Sequence, residues 1–378
     1  MTKVVVLTDF VSVLPEFGGN MWAHMNYVLG FMKLGLDVLW IDRLSPINQH
    51  RHHHSLTYLI DTFALTSQVL GFDENWCIDF DNGSDCFGRS GEYLNSFVQQ
   101  SDLLVALSST FTPNSNLAGI PKKAYIDLDP GFTQAWIQLQ DWGLSQFDHF
   151  FTVGLNVDRP GFLVPPSGIA WNPLVPPVAL NHWPEAHITD SRYYSTVSDW
   201  RAGQQAEVNG TPLLGKRDEF LKVIDMPKWF PDLMRLALFV HPTDFEDMAM
   251  LADAGWKIED ASFFAGSARA YRDFLQCSRG EFSVAKHGYV RSRSGWVSDR
   301  TACYLASGKP ALVQATGFEP YLPVGEGLLT FATMEEAIEG MSKLEGRYAE
   351  HCRSAREIAE AFFDSDKVLS GMLEKVGL

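Results

Sequence analysis

An α/β chain built as two parallel-sheet units is the fold class the sequence predicts, on three observations. Short apolar runs alternate with amphipathic helical stretches along nearly the whole length. The alternation is interrupted once, by a proline-dense stretch at residues 156–185. The length, 378 residues with 46% hydrophobic content, suffices for two separate cores.

The elements follow in order. Residues 3–10, KVVVLTDF, read as a strand, and the loop 11–20 ends in Gly18-Gly19-Asn20. A helix over 21–33 carries Trp22, Met25, Leu29 and Met32 at helical spacing, and Gly35 stops it. LDVLWID (36–42) is the next strand. A strand-loop-helix-strand unit implies a parallel sheet covered by helices, a Rossmann-like layout. Further strands are predicted at 102–106, 123–127 and 149–153. Residues 156–185 lack periodicity and read as an interdomain linker. A second Rossmann-like unit begins at 193–197, with strands at 236–240, 256–260, 282–285, 311–314 and 328–330. Helices are predicted at 244–254, 268–277, 298–307 and 333–343. The amphipathic stretch 345–376 is placed as a helix packing back over the first unit. The expected division is 1–180, 181–345 and 346–378.

Composition narrows the function classes. The net charge of -16 disfavours non-specific nucleic-acid binding, which rests on neutralising phosphates. Five scattered cysteines with no CxxC pair point to a reduced, cytoplasmic protein. The chain enters its first strand at once, without a signal-peptide pattern, and no run reaches the about 20 apolar residues of a membrane span. The histidines His50, His52, His53 and His54 read as a solvated loop rather than a metal site.

The densest signal is residues 286–317. They read as a basic loop, a helix opened by Ser298 and Asp299, a Gly-Lys-Pro stop, and a buried strand ending before Thr316-Gly317. Lys286, Arg291 and Arg293, beside Ser294, Gly295 and a helix N-terminus, make a candidate phosphate site. Arg201 after a strand and Lys216 further on are two more candidate diphosphate cations. Gly18 and Gly19 allow a close backbone approach at the carboxyl end of a parallel strand, where such sheets bind ligands. The loop is not GxGxxG, so a dinucleotide site is poorly supported, and Asp42 as a ribose contact with it. His24, one turn into the helix, has the pKa of a general base, with a packed histidine as the plain alternative. Glu16 and Asp127 are the other candidate bases; Asp127-Leu128-Asp129 also matches a metal-binding DxD pattern, as does Asp79-Phe80-Asp81 in an expected polar loop. Asp299 suits a sugar or ribose hydroxyl, and is partly explained by the helix dipole.

With these residues in view, the second half resembles the donor domain of glycosyltransferases with the two-Rossmann, GT-B architecture. The resemblance rests on Leu305-Ala306-Ser307-Gly308-Lys309-Pro310, the strand 311–314 and Thr316-Gly317, with the Gly18-Gly19 loop and the Arg201/Lys216 pair beside it. It covers the whole chain in architecture and about 50 residues in motif detail. It implies two Rossmann-like domains facing across a cleft, a nucleotide-diphosphate sugar as donor, and no metal or other cofactor. The acceptor would be a glycan, a small molecule or, against the net charge, a modified DNA base. Arg201, Lys216, Lys286, Arg291 and Arg293 would stabilise the departing diphosphate. His24, Glu16 or Asp127 would act on the acceptor hydroxyl. One departure stands out: many retaining members carry a Glu five residues before the Gly of Gly-Lys-Pro, and here that residue is Cys303. A nucleotide-sugar epimerase, another two-domain α/β enzyme and a non-catalytic nucleotide-binding scaffold are the rival readings.

Overall fold

The apolar run that opens the chain becomes β1 (Lys3–Asp9), with Val4, Val5, Val6 and Leu7 fully buried. A strand covered on both faces needs that continuous apolar run. The structure is a computed structural model; it describes all residues except 10, 13, 15, 47–53, 73–74, 82–84, 110–115, 188–190 and 202–205. His50, His52 and His53 therefore lie outside the described residues.

Around β1 a sheet of eight strands forms, in the order β4-β3-β2-β1-β5-β6-β7-β8. The others are β2 (Asp37–Leu44), β3 (Trp76–Phe80), β4 (Asp85–Gly88), β5 (Leu103–Leu107), β6 (Lys122–Asp127), β7 (His149–Thr152) and β8 (Asn172–Pro173). All pairings are parallel except β3 with β4. The helices α1 (Gly18–Lys33), α2 (Leu56–Leu70) and α3 (Gly91–Gln99) connect them. The chain order reverses between β1 and β5, which opens a crevice at their carboxyl ends.

The second sheet has six parallel strands in the order β13-β12-β9-β14-β15-β16. Its strands are β9 (Tyr194–Asp199), β12 (Met234–Phe239), β13 (Lys257–Asp260), β14 (Gly280–Ser283), β15 (Ala311–Gln314) and β16 (Leu328–Phe331); β10 (Ala206–Val208) and β11 (Thr211–Leu213) make a separate hairpin. The helices of this half are α4 (Phe245–Asp253), α5 (Ala268–Cys277), α6 (Asp299–Ala306), α7 (Met334–Gly346) and α8 (Tyr348–Ile358). Here the switch falls between β9 and β14. A π-helical turn, Ala359–Phe363, leads into α9 (Ser365–Val376). α9 lies on the first half: a side chain at Gly30 of α1 would meet Leu369 at 2.6 Å, and Lys33 pairs with Asp366 at 2.8 Å.

Two expectations change. Asp79 and Phe80 belong to β3, not a polar loop, because the strand pairs with both β2 and β4. The basic stretch before α6 is not a loop throughout: His287–Ser292 is helical and ends at Arg293, which takes the left-handed conformation (φ +52°). Among the described residues no helix is long and apolar enough to cross a membrane, and no cluster of three metal-ligating side chains occurs.

Candidate functional site

The two halves meet through glycines and backbone. The Gly18 amide donates to the Ala265 carbonyl at 3.0 Å, and a Cβ there would sit 2.2 Å from the Ser267 oxygen. The Trp22 indole donates to the Ala268 carbonyl at 2.6 Å. Phe17 stacks on Phe239, their rings 4.0 Å apart. Only glycine fits where α1 touches the second half this closely.

Beside this seam is a cavity of about 240 Å³. Gly19, Asn20 and Ala23 of α1 line one wall; Val197, Ser198 and Asp199 at the end of β9, with Phe239 of β12, line another. Lys216, Tyr271, Trp296, Ser298, Asp299 and Arg300 complete it. It therefore lies at the carboxyl ends of the second sheet's strands, against the N-terminus of α6.

The electrostatics of this cavity are cationic at its floor. Lys216 is 8% exposed and forms no ion pair among the described residues. Burial, then the nearby Arg300 and Lys286 charges, push its pKa down to about 7; Glu281 and Asp299 oppose the fall. The Arg300 guanidinium is buried on the inner face of α6, donating from Nε to Glu281 Oε1 at 2.7 Å and from Nη1 to the Val197 carbonyl at 2.9 Å. Its Nη2, and Oε2 of Glu281, find no partner. Buried polar atoms of this kind are normally satisfied, so an unpaired guanidinium nitrogen beside a cavity points to a ligand or water. Burial raises the Asp299 pKa, opposed by Arg300. Ser298 caps α6, accepting from the Arg300 amide at 3.2 Å.

The sequence-predicted residues divide sharply. Gly19, Lys216 and Asp299 line the cavity. Gly18 serves the seam instead. Arg201 is 56% exposed, its Nε donates to Asp244 Oδ1 at 2.7 Å, and it is not among the residues that line the cavity. Lys286 is neutralised by Asp129 at 2.6 Å across the two halves. Arg291 and Arg293 are solvent-exposed side chains outside the cavity lining. Ser294 and Gly295 form an interdomain strap: their carbonyls accept from the Asn156 and Leu155 amides at 3.1 and 3.2 Å. Thr316 holds that strap from behind, accepting the Gly295 amide at 2.8 Å and donating to the Trp296 carbonyl at 2.6 Å. Gly317 (φ +98°) turns the chain there, where a Cβ would sit 3.1 Å from the Arg293 carbonyl oxygen. Within the stretch 291–295 the backbone of Ser294 and Gly295 is thus taken up by pairing between the halves.

The candidate bases fare likewise. Asp127 is fully buried and accepts from the Asp129 amide at 2.8 Å, Gln134 at 2.9 Å and Thr152 at 2.7 Å. A carboxylate so enclosed braces the loop between β6 and β7 and reaches no acceptor. Asp42 is buried in the same way, accepting from the Val11 and Ser12 amides. Glu16 pairs with His54 at 3.2 Å. His24 lies outside the cavity lining but one turn beyond Asn20, whose carbonyl contacts its Nδ1 at 2.8 Å; burial lowers its pKa, leaving a neutral imidazole at pH 7. Cys303, in the place of a family Glu, faces Asn26 of α1 at 4.0 Å across the seam. Sequence reasoning missed Arg300, Glu281 and Trp296. The acidic Glu281 inside the apolar strand β14 was the available signal for a buried cationic partner.

No protein-family model matches the chain, and no curated protein does. Solved structures do. An alpha-glucosyltransferase in complex with UDP superposes with a TM-score of 0.62 at 11% identity, covering all of both chains. The pneumococcal O-GlcNAc transferase in complex with UDP and GlcNAc gives 0.56 at 10% identity, covering 99% of this chain and 98% of that one. Sucrose-phosphate synthase from Thermosynechococcus elongatus gives 0.52 at 9% identity, covering 99% and 98%. The fold is therefore the GT-B type, two Rossmann-like domains facing across a cleft.

Proposed function

We propose that the chain transfers a sugar from a nucleotide-diphosphate donor to an acceptor hydroxyl, with the diphosphate held by Lys216, Arg300 and the N-terminus of α6. The observation that carries this reading is the Lys216 ammonium, buried against the cavity with no ion-pair partner among the described residues. A desolvated cation in that position is costly unless an anion arrives. Arg300 presents its unpaired Nη2 beside the same cavity, and the first turn of α6 adds its dipole. Charge that develops on a departing diphosphate is stabilised by such fixed donors in a low-dielectric crevice. Asp299 is assigned to a sugar or ribose hydroxyl. His24, neutral and one turn past Asn20, is assigned to the acceptor hydroxyl as general base.

Lys216 supplies positive charge, and Arg300, whose own charge Glu281 balances, supplies hydrogen bonds, so the reaction is proposed to need no metal. The donor base is proposed to be uracil, by analogy with the UDP-bound structural neighbours. A reducing, cytoplasmic setting is part of the proposal, since all five cysteines are free.

Thermal unfolding with UDP, GDP, ADP and NAD(P), with and without EDTA, tests the reading. A ligand that binds only the folded chain raises its Tm in proportion to RT ln(1 + [L]/Kd). UDP is expected to raise Tm equally with and without EDTA; a shift with NAD(P) alone, or with none of them, sinks the assignment. A second reading, a hydroxylated DNA base as acceptor, is favoured by the DNA bound in a similar alpha-glucosyltransferase structure and opposed by the net charge of -16. Transfer to DNA that falls steeply with salt would establish it.

A further inference from the structure

A second, larger groove, about 390 Å³, shares no lining residue with the proposed donor crevice and is not used by the proposed reaction. Segments near the crossings between the halves contribute to it: Leu155 just before the linker, Arg159 and Leu174 within it, Tyr321 from the second half, and the π-helical turn with α9. Its wall is apolar, with Phe151, Leu322, Phe362 and Met372, and Phe362 is left 40% exposed. Its charged groups are Arg159, Lys367 and Lys375, all exposed and without an ion pair among the described residues; Lys367 Nζ donates to the Glu360 carbonyl at 2.9 Å, and the Arg159 guanidinium lies over the Tyr321 ring. No carboxylate lines it, in a chain whose net charge is -16. Of the nearby acids, Glu360 pairs with Arg356 at 2.7 Å and Asp366 with Lys33 at 2.8 Å, while Asp158 and Glu374, the sequence neighbours of Arg159 and Lys375, stand outside the lining.

A second observation is independent of the charges. Gly371 sits in the interior of α9 on the face shared by Lys367, Val368, Met372 and Lys375, and nothing lies within 4 Å of where its side chain would be. Glycine in a helix interior costs about 1 kcal/mol against alanine. Here it keeps the groove floor open, which close approach of a ligand to the backbone requires. The π turn that sets Phe362 at the rim is a further irregularity of a kind frequent at binding sites.

We infer that this groove binds a small amphipathic anion, an apolar body of acyl or aromatic type carrying one carboxylate, sulfonate or phosphate. The apolar wall takes the body and the three cations take the head, a division common to ligand pockets at domain junctions. The inference stands apart from the reading of the donor crevice.

The test is a fluorescence titration of the full chain with 1-anilinonaphthalene-8-sulfonate, competed by dodecanoate or dodecanol. Saturable binding, displaced by dodecanoate at least tenfold more effectively than by dodecanol and not displaced by UDP, is expected. Gly371→Trp fills the groove and should abolish that component, while Gly371→Ala should keep it. The exposed pair Lys367→Glu with Lys375→Glu should weaken dodecanoate at least tenfold without changing the melting curve. Equal competition by dodecanol, unchanged binding in Gly371→Trp, or binding to phosphatidylglycerol vesicles without binding of dissolved dodecanoate would each overturn the inference.

Discussion

Burial holds the Lys216 pKa at about 7, where a lysine in the unfolded chain titrates near about 10.4. Between those values the unfolded chain binds a proton that the folded chain has released, so this group makes stability rise with pH across that window. Below about pH 7 the folded chain carries the full cost of the desolvated charge. Lys216→Met removes that cost and should raise Tm at pH 6 by several degrees, and by less at pH 9, measured by thermal unfolding. The same variant should lose UDP binding. A Tm that falls at pH 6 would contradict the burial of an unpaired charge. In the unaltered protein the ammonium must be charged to hold a diphosphate, so affinity should fall as pH rises above 7, with proton uptake on binding seen by calorimetry in buffers of different ionisation heat. At this scale the sequence displayed residue types but not their partners. Lys216, Gly19 and Asp299 could be singled out because basic and acidic residues at strand ends and helix starts are visible. Asp127 and Arg201 looked the same, and only the fold shows that Gln134, Thr152 and Asp244 already occupy them.

The strap over residues 292–296 and the helix α9 show two opposite uses of glycine. Gly295 adopts φ +73° and a side chain there would meet the Asn156 amide nitrogen at 2.5 Å. Gly295→Ala therefore combines left-handed strain with a backbone clash, and should cost about 2 kcal/mol or more in denaturant unfolding. It should also loosen the contact of the strap with 154–157, raising the KM for donor more than it lowers kcat. Gly371→Ala, in an open helical position, should instead stabilise by about 0.5–1 kcal/mol. If both substitutions changed stability alike, the strap would not be the constrained element that its geometry indicates. The parallel strands and α1 were legible because apolar runs of four or more residues and helical spacing survive any tertiary context. The helical turn His287–Ser292 was hidden by its Gly-Tyr-Val-Arg-Ser composition, which is poor in helix formers. The antiparallel pairing of β3 with β4 was hidden because the two strands are short and each carries an aspartate, Asp79 and Asp85. What no local pattern carries is the backbone pairing of the strap with a segment about 140 positions away, since Gly154 with Trp296 is a contact between distant parts of the chain.

At the scale of the whole molecule, two sheets, a proline-rich crossing and a returning C-terminal helix could be read from periodicity, whereas the angle at which the halves meet could not. That geometry is set by the seam Phe17–Phe239, Gly18–Ala265 and Trp22–Ala268, and by the Lys286–Asp129 pair. The cavity beside this seam, about 240 Å³, falls below the about 300–1,000 Å³ of pockets that hold drug-sized ligands. A nucleotide sugar at that site is expected to need the halves to part, as substrates do in enzymes that close around them. α9 stays on α1 through Gly30 and Lys33, so parting must occur by bending at the two crossings, near 154–175 and 359–364. A compact chain of this length has a radius of gyration near about 21 Å. Small-angle scattering should give that value with donor bound and a larger one without it. Phe17→Ala removes the ring stack at the mouth, so it should enlarge the ligand-free particle further and speed donor release by about tenfold, equivalent to about 1.4 kcal/mol. The other seam contacts, the Lys286–Asp129 pair and the strap at 294–295 also hold the halves together, which is why Tm should fall by only a few degrees. A ligand-free chain already at its compact radius, with donor exchanging as fast in Phe17→Ala as in the unaltered protein, would mean that the cavity fills by another path and that the seam is not the gate.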